Sequence, residues 1–156
     1  MRNRAVVVTG SSSGIGRAAA LEFARLGARV MAAARRREAL EEVAEQCRDL
    51  SGQALAYACD VSDEAQVRGL AEAAFKAFGR IDLWVNNAAV TAFGPFEKIP
   101  PDDFRRVLEV NVLGCVNGAR SVLPYFLKRK KGILINVASM TGVVGRVTGR
   151  PASNST

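Results

Sequence analysis

Eight residues near the N-terminus, Thr9-Gly10-Ser11-Ser12-Ser13-Gly14-Ile15-Gly16, combine small side chains with a spacing suited to receiving a phosphate. Glycines at 10, 14 and 16 let the backbone turn sharply and come close to a pyrophosphate. The N–H groups around Ser12, Ser13 and Ile15, at the start of the following helix, favour its negative charge. The spacing is Gly-x-x-x-Gly-x-Gly, not the commoner Gly-x-Gly-x-x-Gly. Its competing reading is a plain tight turn, and its position between a strand and a helix is what raises it above that. Further candidates follow in order: Asp60-Val61, Asn86-Asn87-Ala88-Ala89, Asn111 and Ser139. Asp60 can accept from an amino group at the ligand-binding edge of a sheet, or serve as a turn or cap residue before Ser62. Asn86 and Asn87 can contact a ligand or stitch neighbouring strands, because each amide both donates and accepts. The sequence holds no histidine, which excludes a Ser-His-Asp triad and any His-ligated metal site.

These residues need elements to position them, and short β-branched runs alternate with stretches of helical period as in βαβ units carrying a parallel sheet. Ala5 to Val8 reads as a buried first strand, and Ile15, Ala19, Phe23 and Leu26 recur at helical spacing until Gly27. Val30 to Ala33 is a second strand. A helix from Glu38 to Leu50 carries a stripe of Leu40, Val43, Ala44 and Cys47, and Ser51-Gly52 ends it. Ala54 to Ala58 is a third strand, followed by a helix capped by Ser62 and closed by Gly79. Leu83 to Val85 is a fourth strand, Pro100 opens a helical region running through Val110 and Leu113 to Leu127, and Gly132 to Val137 is a fifth strand. A domain over 1–145 is therefore expected, with an irregular tail over 146–156 that is foreign, frame-altered, or simply where a fragment or shortened product stops.

With these motifs in order, the sequence resembles the short-chain dehydrogenase/reductase family, whose dinucleotide loop is Thr-Gly-x-x-x-Gly-x-Gly. Cys59-Asp60-Val61 resembles its adenine contact, Asn86-Asn87-Ala88-Ala89 its Asn-Asn-Ala-Gly, and Ile135-Asn136-Val137-Ala138-Ser139 the strand that carries its catalytic serine. Ala89 replaces the usual glycine, and its methyl is expected to crowd the loop only mildly. The resemblance implies a three-layer, doubly wound parallel sheet of the Rossmann type, α/β in class, with about five strands and cut short after the fifth. It implies an oxidoreductase that moves hydride between a nicotinamide and a small carbonyl or alcohol substrate, with Ser139 polarising the substrate oxygen. Asn111 would sit at a helix distortion, where its backbone carbonyl holds a water of the proton relay; the competing readings are a plain polar helix residue for Asn111 and a strand-end hydrogen-bonder for Ser139. The cofactor residues implied are Gly10, Ser12, Ser13, Gly14, Ile15, Gly16, Asp60, Val61, Asn87, Ala88 and Ala89. The family's tyrosine falls about thirteen residues after the serine in a Tyr-x-x-x-Lys motif; here Ala152 and Thr156 occupy those places. A non-catalytic dinucleotide-binding or partner-binding module is thus the alternative.

The choice of nucleotide rests on the end of the second strand, where an NAD enzyme places Asp or Glu and this chain reads Ala33-Ala34-Arg35-Arg36-Arg37. Guanidinium forks match phosphate geometry, so NADP is expected over NAD, with Arg35 first and Arg36 second as its contacts. The competing reading is a solvated basic loop. Among 156 residues, 22 Lys+Arg against 15 Asp+Glu leave a net charge of +7, with 49% apolar residues, one globular domain's worth of chain. The run Lys128-Arg129-Lys130-Lys131 has no interleaved aromatics and reads as a solvated loop, so no nucleic-acid partner is expected. No apolar window approaches the roughly 18 residues of a membrane span, and Met1-Arg2-Asn3-Arg4 leads into no signal-peptide core. Cys47, Cys59 and Cys115 suit neither a disulfide framework nor a zinc set, and a reducing, cytoplasmic location without a membrane partner is expected. By resemblance, the helix from Asn111 to Leu127 packs in a homo-oligomer through Val112, Val116, Ala119 and Leu123, although packing on the chain's own sheet explains that stripe as well.

Overall fold

A strand whose residues are all buried must be covered on both faces, and β1 (Ala5–Thr9) meets that condition along its whole length. In the computed structural model, which describes residues 1–51 and 53–139, β1 is followed by α1 (Gly14–Arg25), β2 (Arg29–Ala34), α2 (Arg37–Ser51), β3 (Ala54–Ala58), α3 (Glu64–Phe78) and β4 (Leu83–Asn86). A 3-10 turn over Phe96–Lys98 leads to α4 (Pro101–Leu108), a π-helical turn over Glu109–Leu113, α5 (Gly114–Arg129) and β5 (Ile133–Asn136). All four strand pairings are parallel and the order is β3-β2-β1-β4-β5, so the chain reverses direction of travel between β1 and β4. This is the doubly wound α/β arrangement, whose switch point opens a crevice beyond the C-terminal ends of those two strands.

Alternation along the strands sorts the core into two layers. Val6, Val8, Val30, Ala32, Leu83 and Val85 pack with α1 and α2 on one face of the sheet. Ala5, Val7, Met31, Ala33 and Trp84 pack with α3 and α5 on the other. Strand positions match the sequence reading to within a residue or two.

Two helical expectations need correction. In α1 the buried residues are Gly16, Ala20 and Ala24, whereas Ile15 is 69% exposed and Leu26 is exposed as well. Small residues win the inner face because α1 sits close to the sheet: a methyl on Gly16 would strike the Gly10 carbonyl and the Asn87 amide. The cap of α3 is Asp63, not Ser62; its carboxylate accepts from the Ala65 and Gln66 N–H groups at 2.9 and 3.1 Å. The helical region expected from Pro100 to Leu127 runs on through a π turn that contains Asn111, the distortion expected at that residue. On α5, Gly114, Asn117, Gly118, Val122 and Phe126 face inward, while Val112 in the π turn and Val116 and Leu123 on α5 are exposed and Ala119 is half-buried, so the chain's own sheet does not fully cover that stripe. Gly52 and the tail over 146–156, together with the boundary at 145, lie outside the described residues. Among the described residues no helix is long and apolar enough to cross a membrane.

Candidate functional site

The loop after β1 is held down by its neighbours. Gly10 has φ +69°, and a side chain there would meet the Ala88 Cα at 2.7 Å, so the position requires glycine on both counts. Thr9, quoted with the motif but given no role, is buried. Its Oγ1 donates to the Val85 carbonyl and accepts from the Asn87 and Ala88 N–H groups at 3.0 and 3.2 Å. Asn87 Nδ2 donates to the carbonyls of Thr9 and Gly10 at 3.0 and 3.4 Å. Asn86 donates to the Cys115 carbonyl and to Asn136 Oδ1, and its own Oδ1 accepts from the Trp84 indole at 2.7 Å. Both asparagines therefore stitch strand ends, the structural role the sequence left open beside a ligand contact. Ser13 precedes α1 in an extended conformation and provides no side-chain cap, and no acidic residue occupies the first turn. Its leading N–H groups face the loop without a carboxylate beside them.

Around this loop, at the C-terminal ends of β1 to β4, lies a cavity of about 680 Å³. Gly10, Ser12, Ser13 and Ile15 line it from the first loop, Arg35 and Arg36 from the end of β2, Asp60 and Val61 from the end of β3, and Asn87, Ala88 and Ala89 from the end of β4. Gly14 and Gly16 are not in the lining: Gly14 opens α1 at φ +55°, and Gly16 lies beneath the loop. The methyl of Ala89 is exposed. The arginine run divides, since Arg37 begins α2 and pairs with Glu41 at 3.7 Å on the surface, leaving Arg35 and Arg36 at the cavity.

Asp60 forms the acidic counterpart. Its Oδ1 accepts from the Ser62 N–H and Oγ at 3.0 and 2.7 Å, and its Oδ2 accepts from Arg106 at 2.6 Å. Partial burial pushes its pKa up, but the Ser62 donors and Arg106 outweigh that and hold the carboxyl below its ordinary value, so it is ionised at neutral pH. Behind it, burial first and the neighbouring carboxylates Asp60 and Asp63 second push the Cys59 thiol up to about 12, which keeps it protonated and inert. Arg106 escaped the sequence reading because its partner lies 46 residues away and a lone arginine in a helix carries no local signal. Val90 and Val110 also line the cavity, together with Ala34 and Cys59.

Asn111 and Ser139 are not part of the lining. Asn111 sits in the π turn and its side chain pairs with Val90 in both directions, accepting from its N–H and donating to its carbonyl, each at 2.9 Å. Ser139 is exposed, three residues beyond β5 at the same edge of the sheet. Tyr57 and Tyr125 are not in the lining either; Tyr125 packs on Phe75 with ring centroids 5.0 Å apart.

A glycine loop at the switch point of a 3-2-1-4-5 sheet is now joined by a sequence match: the model of the short chain dehydrogenase family covers residues 4–153. The chain belongs to that family. It is 40% identical over 148 residues to the uncharacterized oxidoreductase YxnA of Bacillus subtilis strain 168, covering 94% of this chain and 42% of that one. Among solved structures it is similar to NAD+-bound xylitol dehydrogenase, with a TM-score of 0.89 at 36% identity over 93% of this chain and 56% of the other. It is also similar to an alcohol dehydrogenase from the archaeon Thermococcus sibiricus complexed with 5-hydroxy-NADP, with a TM-score of 0.80 at 30% identity over 85% and 57% of the two chains. The chain thus spans about half the length of the relatives it matches.

Proposed function

We propose that this chain is the nucleotide-binding part of an NADP-dependent oxidoreductase acting on a carbonyl or alcohol substrate. The observation that carries the reading is the placement of Arg35 and Arg36 on the wall of a cavity whose floor is the glycine loop and the start of α1. A dinucleotide fits the residues present. The volume suits a ligand of that size, Gly10 lines the cavity without a side chain, and Asp60 is the only carboxylate among the described residues of the lining. Because Arg106 already neutralises Asp60, the remaining charge of the wall is that of Arg35 and Arg36, which favours a third phosphate over a bare ribose. A bound nicotinamide supplies or accepts hydride.

The chain's own groups bind and orient. The α1 N–H groups and Ser12 and Ser13 receive the diphosphate, Asp60 and Val61 hold the adenine end, and Asn87, Ala88 and Ala89 form the wall beyond the loop. Ser139, beyond β5, is assigned to donate to the substrate oxygen, and Asn111, fixed to Val90 inside the π turn, is assigned to hold a water through its carbonyl. Relatives with bound NAD+ and with 5-hydroxy-NADP support a nicotinamide dinucleotide without choosing between the two. The outward stripe of Val112, Val116 and Leu123 supports association with a second copy of the chain, and the cysteine usage supports a cytoplasmic setting. Titration with NADPH and NADH tests the reading. NADPH is expected to bind about tenfold tighter or more, and Arg35→Glu to reverse that order; equal or tighter NADH binding by the unaltered chain rejects the NADP assignment.

A further inference from the structure

Arg106 closes a ring of hydrogen bonds. One arm of its guanidinium donates to Asp60 Oδ2 at 2.6 Å and the other to Ser62 Oγ at 2.7 Å, while Ser62 Oγ donates to Asp60 Oδ1 at 2.7 Å. The Ser62 N–H adds a second bond to Oδ1, and the Asp60 N–H donates to Gln66 Oε1 at 3.0 Å. A carboxylate held through both oxygens by donors on two different elements cannot turn about its Cβ–Cγ bond. A carboxylate has about four acceptor positions; described residues fill two on Oδ1 and one on Oδ2, which leaves a single position on Oδ2 beside the cavity that Asp60 lines. One open acceptor on an ionised, immobile group selects a ligand edge that donates and rejects one that presents an oxygen lone pair.

We infer that Arg106 is a positioning residue for base selection, locking Asp60 so that its remaining acceptor favours a dinucleotide whose base carries an amino group over one with a carbonyl at that place. The inference rests on the nucleotide reading above and adds to it a specificity-determining residue on α4. Pre-organisation is the physical reason: a carboxylate free to rotate must first be ordered by the ligand and resists an oxygen less strictly.

The test compares NADPH with its hypoxanthine counterpart, in which the adenine amino group is replaced by a carbonyl oxygen, as ligands for the unaltered chain and for Arg106→Gln. The unaltered chain is expected to prefer the amino base by about tenfold, the worth of a hydrogen bond to a charged group. In Arg106→Gln the ratio is expected to fall to about threefold or less, with Arg106→Lys between the two because an ammonium keeps the charge but lacks the two-armed fork. A purely structural arginine would lower both affinities by the same factor, so an unchanged ratio in Arg106→Gln overturns the inference even if binding weakens. If Arg106→Gln does not fold, Ser62→Ala opens the same ring at another corner; it is expected to lower the ratio in the same direction, and an unchanged ratio there overturns the inference equally. Failure of the unaltered chain to bind either dinucleotide would reject the nucleotide reading and this inference together.

Discussion

Two carboxylates at opposite ends of the sheet show how the same pairing serves different ends. At the C-terminal edge, Asp60 is 28% exposed, lines the cavity and keeps one acceptor position open. At the N-terminal edge, Asp82 is 5% exposed, and its Oδ1 accepts from Arg4, Arg80 and Arg129 while its Oδ2 accepts from the Ala5 N–H at 2.9 Å. The second site is a clasp: Arg4 precedes β1, Arg80 and Asp82 lead into β4, and Arg129 ends α5, where it also donates to the Ile81 carbonyl at 2.8 Å. Arg129 is therefore half-buried and engaged, and it shares the last turn of α5 with the exposed Lys128, so only Lys130 and Lys131 of the basic run belong to the solvated loop expected. Burial and place separate the two: Asp82 is closed in among its donors, whereas the open acceptor of Asp60 lies beside the cavity.

Removing each group should separate the two roles. Asp82→Ala strands three guanidinium groups and an N–H at once, and is expected to cost about 3 kcal/mol, near the low end for a buried ion pair because the arginines keep contact with water. Urea unfolding reads that loss, and dinucleotide affinity per folded molecule should stay within about twofold, since the clasp lies at the other end of the strands.

Gly16→Ala carries the next largest effect and acts on the cavity side. The added methyl meets the Gly10 carbonyl and the Asn87 amide, so a loss of about 2 kcal/mol is expected together with at least about tenfold weaker NADPH binding. Titration of the refolded variant checks it; normal affinity would mean that the loop can shift without consequence.

Acid titration distinguishes the carboxylates by degree. Burial raises the Asp82 pKa, but the Arg80, Ala5 and Arg129 hydrogen bonds more than reverse that and place it far below the ordinary carboxylate value. A group lowered in the folded state contributes stability that is complete above its unfolded value, about 3.9, and is lost as the pH falls below it toward the folded value, because there the unfolded chain binds more protons. Stability should therefore fall steeply below about pH 4, and Asp82→Asn should flatten that fall more than Asp60→Asn does. Equal flattening by both would remove the distinction between them. Smallest of all, Ala89→Gly should change stability by less than about 0.5 kcal/mol, because Ala89 is exposed.

Local chemistry was legible in the sequence wherever neighbours along the chain carry the information. Runs such as Ala5-Val6-Val7-Val8 and Ile133-Leu134-Ile135 announce strands by composition, Gly79 closes α3 in the left-handed conformation that glycine tolerates, and the glycine loop lies where a strand gives way to a helix. Asp60 was legible as a turn residue and as a cavity residue, and it is both. Less was legible where packing overrules pattern. Ile15 and Leu26 fit the apolar spacing of α1 but point outward, since close approach to the sheet admits only Gly16, Ala20 and Ala24. The distortion at Asn111 was expected from the family resemblance and not from composition, and the paired bonds of Asn111 with Val90, 21 residues away, accompany it.

By itself, then, the order of residue types determined which segments become strands and helices, that the sheet is parallel, and which loop turns on glycines between a strand and a helix, because those properties depend on dihedral preferences and on periodicity within a few residues. Only the folded chain decided that Arg106 reaches Asp60, that Arg129 reaches Asp82, and which carboxylate is left with room for a ligand. Those pairings span 46 and 47 residues, and contacts over such separations follow from where whole elements pack, which nearest neighbours along the chain do not encode.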